Sequence, residues 1–421
     1  MKINKNNYIL TRLQSVAALL LSFCILCLGH GLLNTVIGLR ATVESYSDIT
    51  MGLMTSAYFA GFLVGTKICA DMITKVGHIR AFSVFATVAS ALALVMAMYV
   101  NPYVWVLTRF FYGAALAALF MIMESWLNLI TKNEERGQIL SFYMITNYIG
   151  MAGSQALIYV AEPADFVLFA AASIFLSIAL VPLAASQSPQ PTLMNPEAFS
   201  LKELIKTSPL AAVGCFATGA MLGGFWGMGA YYLSNVGMNN GQVALFIAFL
   251  YVGSFTLQYP LGYISDKIGR RKTIVALCAL SALVSAALFI VPYEDNFTTM
   301  MMYLGMSFFF GGLNNTLYSL FLALANDFLK PGQVVKASAG FLSVHALGAI
   351  IGPLMATVMM IKLGDAGLML FCALVALCVL VFALRQVFYG RKILKNMRQD
   401  FVAIPRTGLN TGALDPRQDT E

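Results

Sequence analysis

Arg109 and Glu124 are ionisable residues set within one long apolar stretch, residues 104–130. A charge in an apolar helix is costly unless it is paired or faces water, so each is a candidate for function. They stand fifteen residues apart, about 22 Å along a helix at 1.5 Å per residue, and so do not pair with each other. Arg109 has no carboxylate close by in its own stretch. It takes its partner from another helix or from a bound solute, unless it snorkels to an interface. Glu124 has three readings: a gate carboxylate that receives a cation from the Lys75/Arg80 loop, a cavity carboxylate that takes up and releases a proton, or a member of a structural pair.

His30 and Asn34 are four residues apart and share one helical face. Asn147, Trp226, Asn314, Asn315 and His345 also interrupt apolar runs, with Tyr58, Tyr143, Gln155, Tyr231, Tyr232 and Gln258 as further candidates. This is the chemistry of binding and proton exchange. Histidine titrates near neutrality, and amides with aromatic rings around few charges suit an amphipathic or neutral organic solute. A lone histidine in an apolar helix serves equally well as an interhelical hydrogen-bonder, which leaves both roles open for His30 and His345.

No cofactor or metal is expected. Three scattered histidines supply neither ligand spacing nor a catalytic constellation. Cys24-x-x-Cys27 has a redox or metal spacing, but it lies in an apolar run and reads as packing. The phosphate-binding pattern Gly-x-x-x-x-Gly-Lys-Ser/Thr does not occur, and no filter-like loop marks a channel. The residues therefore point away from an enzyme and from an ATP-driven pump.

The elements that carry these residues follow from composition. Of 421 residues, 59% are apolar and 11% charged, against roughly 25% charged in soluble domains. Apolar runs exceed the ~18–20 residues that cross a bilayer as helix, and backbone buried in lipid must bond to itself. An all-α integral membrane protein is expected, with twelve transmembrane helices at 13–38, 48–70, 79–100, 104–130, 137–160, 165–185, 209–235, 241–263, 272–292, 298–325, 333–361 and 366–388.

Lys and Arg gather on one side, at Lys67, Lys75, Arg80, Lys132, Arg136, Lys202, Lys206, Lys267, Arg270, Arg271, Lys272, Lys330, Lys336 and both chain ends. The other side has only Arg40 and Lys362, beside Glu162, Asp165, Glu294 and Asp295. By the positive-inside rule both termini are cytoplasmic. The net charge of +7 then reflects topology and contact with the lipid bilayer, with no nucleic-acid partner.

The chain repeats itself. With a shift of 192 residues, Leu32–Ile37 falls on Gly224–Gly229, Gly61 on Gly253 and Gly77 on Gly269. With a shift of 198, Gly113 meets Gly311, Asn128 meets Asn326 and Gly150 meets Gly348. The expected organisation is two six-helix bundles, 1–185 and 209–390, a cytoplasmic linker at 186–208 with an amphipathic stretch at 197–206, and a disordered cytoplasmic tail at 391–421. Asn34 and Trp226 are repeat equivalents, as are Asn147 and His345.

Between the eighth and ninth spans lies Gly262-Tyr263-Ile264-Ser265-Asp266-Lys267-Ile268-Gly269-Arg270-Arg271-Lys272, and a weaker copy runs from Ala70 to Arg80. This pair resembles the loop-2/3 signature of the major facilitator superfamily, in its bacterial permease branch. Arg109-Phe-Phe-Tyr-Gly113 is similar to the superfamily's fourth-span Arg-x-x-x-Gly signature. The resemblance implies two pseudo-symmetric halves around a midplane site, and a latch made of Gly262, Asp266, Lys267, Gly269, Arg270 and Arg271. In the weaker copy Thr74 occupies the Asp position, with Asp71 one turn earlier and cations at Lys75 and Arg80. Gly348-x-x-x-Gly352-Pro353 in the eleventh span is a close-packing motif. Related glycine-proline motifs of antiporters occur in the fifth span, where this chain has Ser154-Gln155.

The resemblance thus implies a monomeric secondary transporter of the bacterial inner membrane that moves a small organic solute by rocker-switch alternating access. Proton-coupled uptake of a nutrient or vitamin-like compound is the leading reading. The alternatives are proton-driven efflux of amphipathic drug-like compounds, or a transporter-like receptor or regulator without turnover.

Overall fold

The computed structural model describes residues 5–131, 136–185, 200–329, 333–389 and 401–402. Most of the linker expected at 186–208 and nearly all of the tail expected at 391–421 lie outside the described residues, as do Lys132 and Lys330. The helices are α1 (Lys5–Val43), α2 (Asp48–Val76), α3 (His78–Met98), α4 (Pro102–Ile130), α5 (Arg136–Ser154), α6 (Phe166–Ile178), α7 (Leu180–Ala184), α8 (Leu201–Thr207), α9 (Pro209–Asn235), α10 (Asn240–Ile268), α11 (Arg270–Ile290), α12 (Phe297–Asn326), α13 (Val334–Leu363) and α14 (Gly367–Tyr389).

Their starts are set by side chains that satisfy the free N–H groups of a first turn. Ser47 caps α2 and Asn101 caps α4 ahead of Pro102. Asn239 and Gln242 form a capping box on α10. Two sharp reversals use glycine in a left-handed backbone, Gly77 (φ 82°) between α2 and α3 and Gly269 (φ 101°) between α10 and α11. Side chains with a Cβ are disfavoured there.

Eleven segments of the described residues are long and apolar enough to cross a bilayer. The one that falls short is the stretch expected at 137–160. It forms α5 and then a 3-10 turn, Gln155–Val160, and its hydropathy is diluted by Asn147, Gln155 and small residues. It packs on α1 and α10 all the same, completing twelve membrane-crossing elements. Several helices outrun their expected bounds: α2 continues to Val76 and α10 to Ile268.

The repeat is built into the packing. α2 and α10 begin and end at positions 192 apart, as do α3 and α11. A side chain at Gly61 would overlap the backbone of Phe110, and one at Gly253 that of Phe308. Gly113 lies against the backbone of Tyr58 and Gly311 against that of Leu250. Gly150 meets Cys24 on α1, and Gly348 meets Phe216 on α9. Each pair is the same crossing seen twice, with backbones brought together by missing side chains. Gly352 likewise lies on Ala220, and α13 runs through Pro353 without interruption.

α8 follows an N-cap at Ser200, and its Leu204 is buried in a cluster with Leu210 and Cys215. The expected amphipathic stretch is therefore seated on the second half. Two residues within the tail expected at 391–421, Phe401 and Val402, are described. Phe401 sets its ring against Gly262, and its N–H donates to Asp266 at 2.9 Å.

Candidate functional site

A cavity of about 190 Å³ lies between the two halves. From the first half it is walled by α1, α2, α4 and α5, and from the second by α9, α10, α12 and α13. His30, Asn34, Arg109, Asn147, Trp226, Asn315 and His345 all line it, together with Tyr58 and Gln258. Spacing put His30 and Asn34 on one helical face, the repeat paired Asn34 with Trp226 and Asn147 with His345, and four helices from each half bring them to one cavity.

Arg109 lies two turns inside α4 and is 2% exposed, so it does not snorkel. Its Nη2 donates to Asn34 Oδ1 at 3.2 Å. The guanidinium sits 4.3 Å from the centre of the Tyr58 ring and 5.8 Å from that of Tyr112, a cation–π setting. Nη1 is buried without a hydrogen-bond partner. Asn34 in turn donates to the Trp226 carbonyl at 2.6 Å, which joins α1 of one half to α9 of the other. His30 Nδ1 lies 3.2 Å from the Tyr112 hydroxyl.

In the second half Trp226 stacks on Tyr251 with centroids 4.7 Å apart. Asn315 donates to Ser254 Oγ at 2.8 Å, and Gln258 donates to Ser319 Oγ at 3.0 Å. His345 Nδ1 lies 3.2 Å from the Cys215 carbonyl. Gln258 also accepts from the Tyr148 hydroxyl at 2.9 Å, across the halves. Asn147 reaches the Cys27 sulfur at 3.7 Å. These bonds tie the polar residues of the wall to neighbouring helices, and the one from Tyr148 to Gln258 spans the two halves.

Six expected positions, Asn314, Glu124, Gln155, Tyr143, Tyr231 and Tyr232, are not among the cavity's lining residues. Asn314 faces away from the cavity, accepting from Ser281 Oγ at 2.6 Å and donating to the Phe310 carbonyl, because one helical step turns it ~100° from Asn315. Glu124 is fully buried behind the wall and accepts from the Tyr143 hydroxyl at 3.1 Å. Gln155 accepts from Thr35 at 3.0 Å inside the first half.

One end of the cavity is closed by bonds between the halves. The Tyr231 hydroxyl donates to the Tyr46 carbonyl at 2.8 Å and lies 3.1 Å from Asp48 Oδ1. Thr357 donates to the Asp48 carbonyl at 3.2 Å, Ser56 to the Ile350 carbonyl at 2.7 Å and Asn240 to Glu162 at 3.0 Å. Burial pushes the Tyr46 phenol up, and Glu44 adds to the rise, so it stays neutral at this end.

At the other end lie the signature loops. Arg270 is buried and bonds Asp327 at 2.8 Å and Asp266 at 3.2 Å. Lys267 is exposed over the Tyr263 ring at 4.4 Å, and Arg271 is half-buried. In the weaker copy Asp71, Lys75 and Arg80 are exposed, while His78 is buried and bonds Ser125 at 3.1 Å.

Sequence reasoning missed Tyr112, Asp327, Tyr46 and Asp48. Tyr112 is one turn from Arg109 within the Arg-x-x-x-Gly signature, which is signal enough to find it. Asp327 follows Asn326, the repeat partner of Asn128. Tyr46 and Asp48 are legible only once the halves are docked.

Twelve membrane-crossing elements in two repeat-related halves around a shared cavity define a membrane carrier of solutes. The chain belongs to the Major Facilitator Superfamily, whose family model matches it twice, over residues 19–233 and 211–400. It is 25% identical over 383 residues to YcaD of Escherichia coli (strain K12), an uncharacterized MFS-type transporter, covering 89% of this chain and 96% of that one. YcaD of Escherichia coli (strain SMS-3-5 / SECEC) is 24% identical over the same length. Among solved structures, the nucleoside transporter NupG superposes with a TM-score of 0.71 at 12% identity, covering 90% of this chain and 99% of that one. A bacterial homolog of the human lysosomal transporter Spinster gives a TM-score of 0.71 at 14% identity, covering 92% and 98%. The protein is thus a multi-pass membrane transporter.

Proposed function

We propose that this chain is a secondary active carrier of the bacterial inner membrane that takes up a small organic solute by rocker-switch alternating access, coupled to protons. The observation that carries this reading is the cavity itself, which draws its wall from both halves and is bolted at one end by bonds between them. With the Lys- and Arg-rich loops in the cytoplasm, the bolted end is the outer one, and both termini are cytoplasmic.

Proton coupling draws support from titratable groups at and behind the wall. His30 and His345 line the cavity, and Glu124 is fully buried within the first half, where it accepts from the Tyr143 hydroxyl. The signature loops at the inner end act as the second latch, with Arg270 anchored on Asp327 and Asp266. The working unit on this reading is one chain.

The test is proteoliposomes loaded with a pH-sensitive dye and offered nutrient-like solutes one at a time. A saturable solute that acidifies the lumen as it enters supports the reading. Solute accumulation without proton movement removes the coupling, and binding without passage leaves a receptor in place of a carrier.

A further inference from the structure

Arg109 is the only permanently charged side chain that lines the cavity among the described residues, and no Asp or Glu lines it. A guanidinium this deep is expensive unless a counter-charge meets it. Its neighbours supply contact without one. Asn34 is a neutral amide that bonds one nitrogen, Nη2. Tyr58 and Tyr112 offer their ring faces, which hold a cation in place and leave its charge uncancelled. Nη1 has no hydrogen-bond partner at all. Glu124, the nearest acid on α4, is about 22 Å along the helix and points to Tyr143.

We infer that the transported solute is an organic anion, with a carboxylate or similar oxyanion head bound at Arg109 Nη1. This rests on the carrier reading above. The site is a fixed positive charge with an unused donor, and an oxyanion supplies both the missing charge and the missing acceptor. A neutral carbonyl would fill the donor and leave the charge unmet. The remainder of the solute is organic because the wall beyond Arg109 is mostly apolar or aromatic, with Phe59, Phe62, Phe120, Met151 and Leu222 among its residues. Asn315 and Gln258 on the opposite wall can bond a polar group at the far end of the molecule.

Of the neutral or amphipathic solutes expected from the amides and rings, this sets aside the neutral and keeps an amphipathic one with an anionic head. It also gives the proton a purpose. An inside-negative membrane potential opposes the inward passage of an anion, and a proton carried with it makes the step electroneutral.

The test uses the full chain, purified and then reconstituted in phosphatidylethanolamine–phosphatidylglycerol vesicles. The probes are matched sets: benzoate, phenylacetate, nicotinate, hexanoate and phenyl phosphate, each beside its neutral amide or alcohol and a corresponding amine. Binding is read by thermal stability and by quenching of Trp226, and passage by uptake of the same compounds. At least one acid should bind about 10- to 100-fold tighter than its neutral partner, and Arg109→Gln should erase that preference. Preference for amides or amines, a preference that survives Arg109→Gln, or no response to any acid overturns the inference. If Arg109→Gln does not fold, the acid-against-amide comparison on the unaltered chain decides alone. Acids that bind by this preference and never cross the vesicle membrane would uphold the anion site and sink the carrier reading.

Discussion

Asn34 on α1 and Trp226 on α9 occupy equivalent positions of the two repeats, 192 residues apart, and they touch: the Asn34 side-chain amide donates to the Trp226 carbonyl at 2.6 Å. Two points exchanged by a pseudo-two-fold axis meet only where that axis passes, so this bond marks the axis. The same Asn34 accepts from Arg109. The pseudo-symmetry axis and the charged group of the cavity therefore meet at one side chain.

Replacing Asn34 by Leu removes both bonds at once. A hydrogen bond between membrane helices is worth roughly 0.6–2 kcal/mol, too little to unfold the protein and enough to shift a balanced equilibrium severalfold. Asn34→Leu should insert normally and should raise the labelling of a cysteine placed at Thr55 from the outer side. Unchanged labelling would separate this bond from closure.

Arg109→Lys should fail to restore what Arg109→Ala loses. A lysine carries the charge, but it is not a planar fork that can bond Asn34 and lie over Tyr58 together. Transport in either variant should fall by at least about 10-fold with membrane insertion intact, the loss of one charge-assisted hydrogen bond or more. Unaltered uptake in both variants would remove Arg109 from the site.

Glu124→Gln keeps an acceptor for the Tyr143 hydroxyl and deletes the charge. If Glu124 carries the coupled proton, net uptake driven by a pH gradient should collapse while solute exchange between loaded vesicles continues. If it serves in the latch, both should fall together. Wild-type rates in both assays would leave Glu124 a packing residue.

Asp327 is 3% exposed and holds Arg270. Breaking one side of a buried ion pair costs about 3–5 kcal/mol, whereas replacing both partners with apolar residues is often neutral. Asp327→Ala should lower the melting temperature in detergent, and Arg270→Met with Asp327→Leu should recover most of it. Loss of transport in the recovered double variant would assign the pair to the latch mechanism as well as to stability.

The architecture was readable because its causes are local in sequence. Apolar runs of bilayer length, and glycines at every close crossing, need no knowledge of distant contacts. The four-residue spacing of His30 and Asn34, with the repeat pairs Asn34–Trp226 and Asn147–His345, singled out residues that all line the cavity. What was not readable depends on rotation and docking. Asn314 and Asn315 are neighbours in sequence, and only the rotation of α12 decides that one meets Ser281 and the other the cavity. The partners of Arg109 come from α1 and α2, and no spacing along α4 could name them. The bolt of Tyr231 on Tyr46 and Asp48 exists only when the halves meet. The span at 137–160 reads as one plain helix in the sequence, whereas the chain forms α5 to Ser154 and then a 3-10 turn, Gln155–Val160.

The account stands on the two halves rocking about the axis at Asn34 and Trp226, and the bolted end reports this most directly. Spin labels at Ala164→Cys and Asn239→Cys, one on each half beside the Asn240–Glu162 bond and leaving both of its partners in place, would be measured by pulsed dipolar spectroscopy in lipid. Two distance populations are predicted, short for the bolted state described here and longer for the opened one, with the balance moved by pH and by a bound acid. A single short distance under every condition would contradict alternating access in this chain.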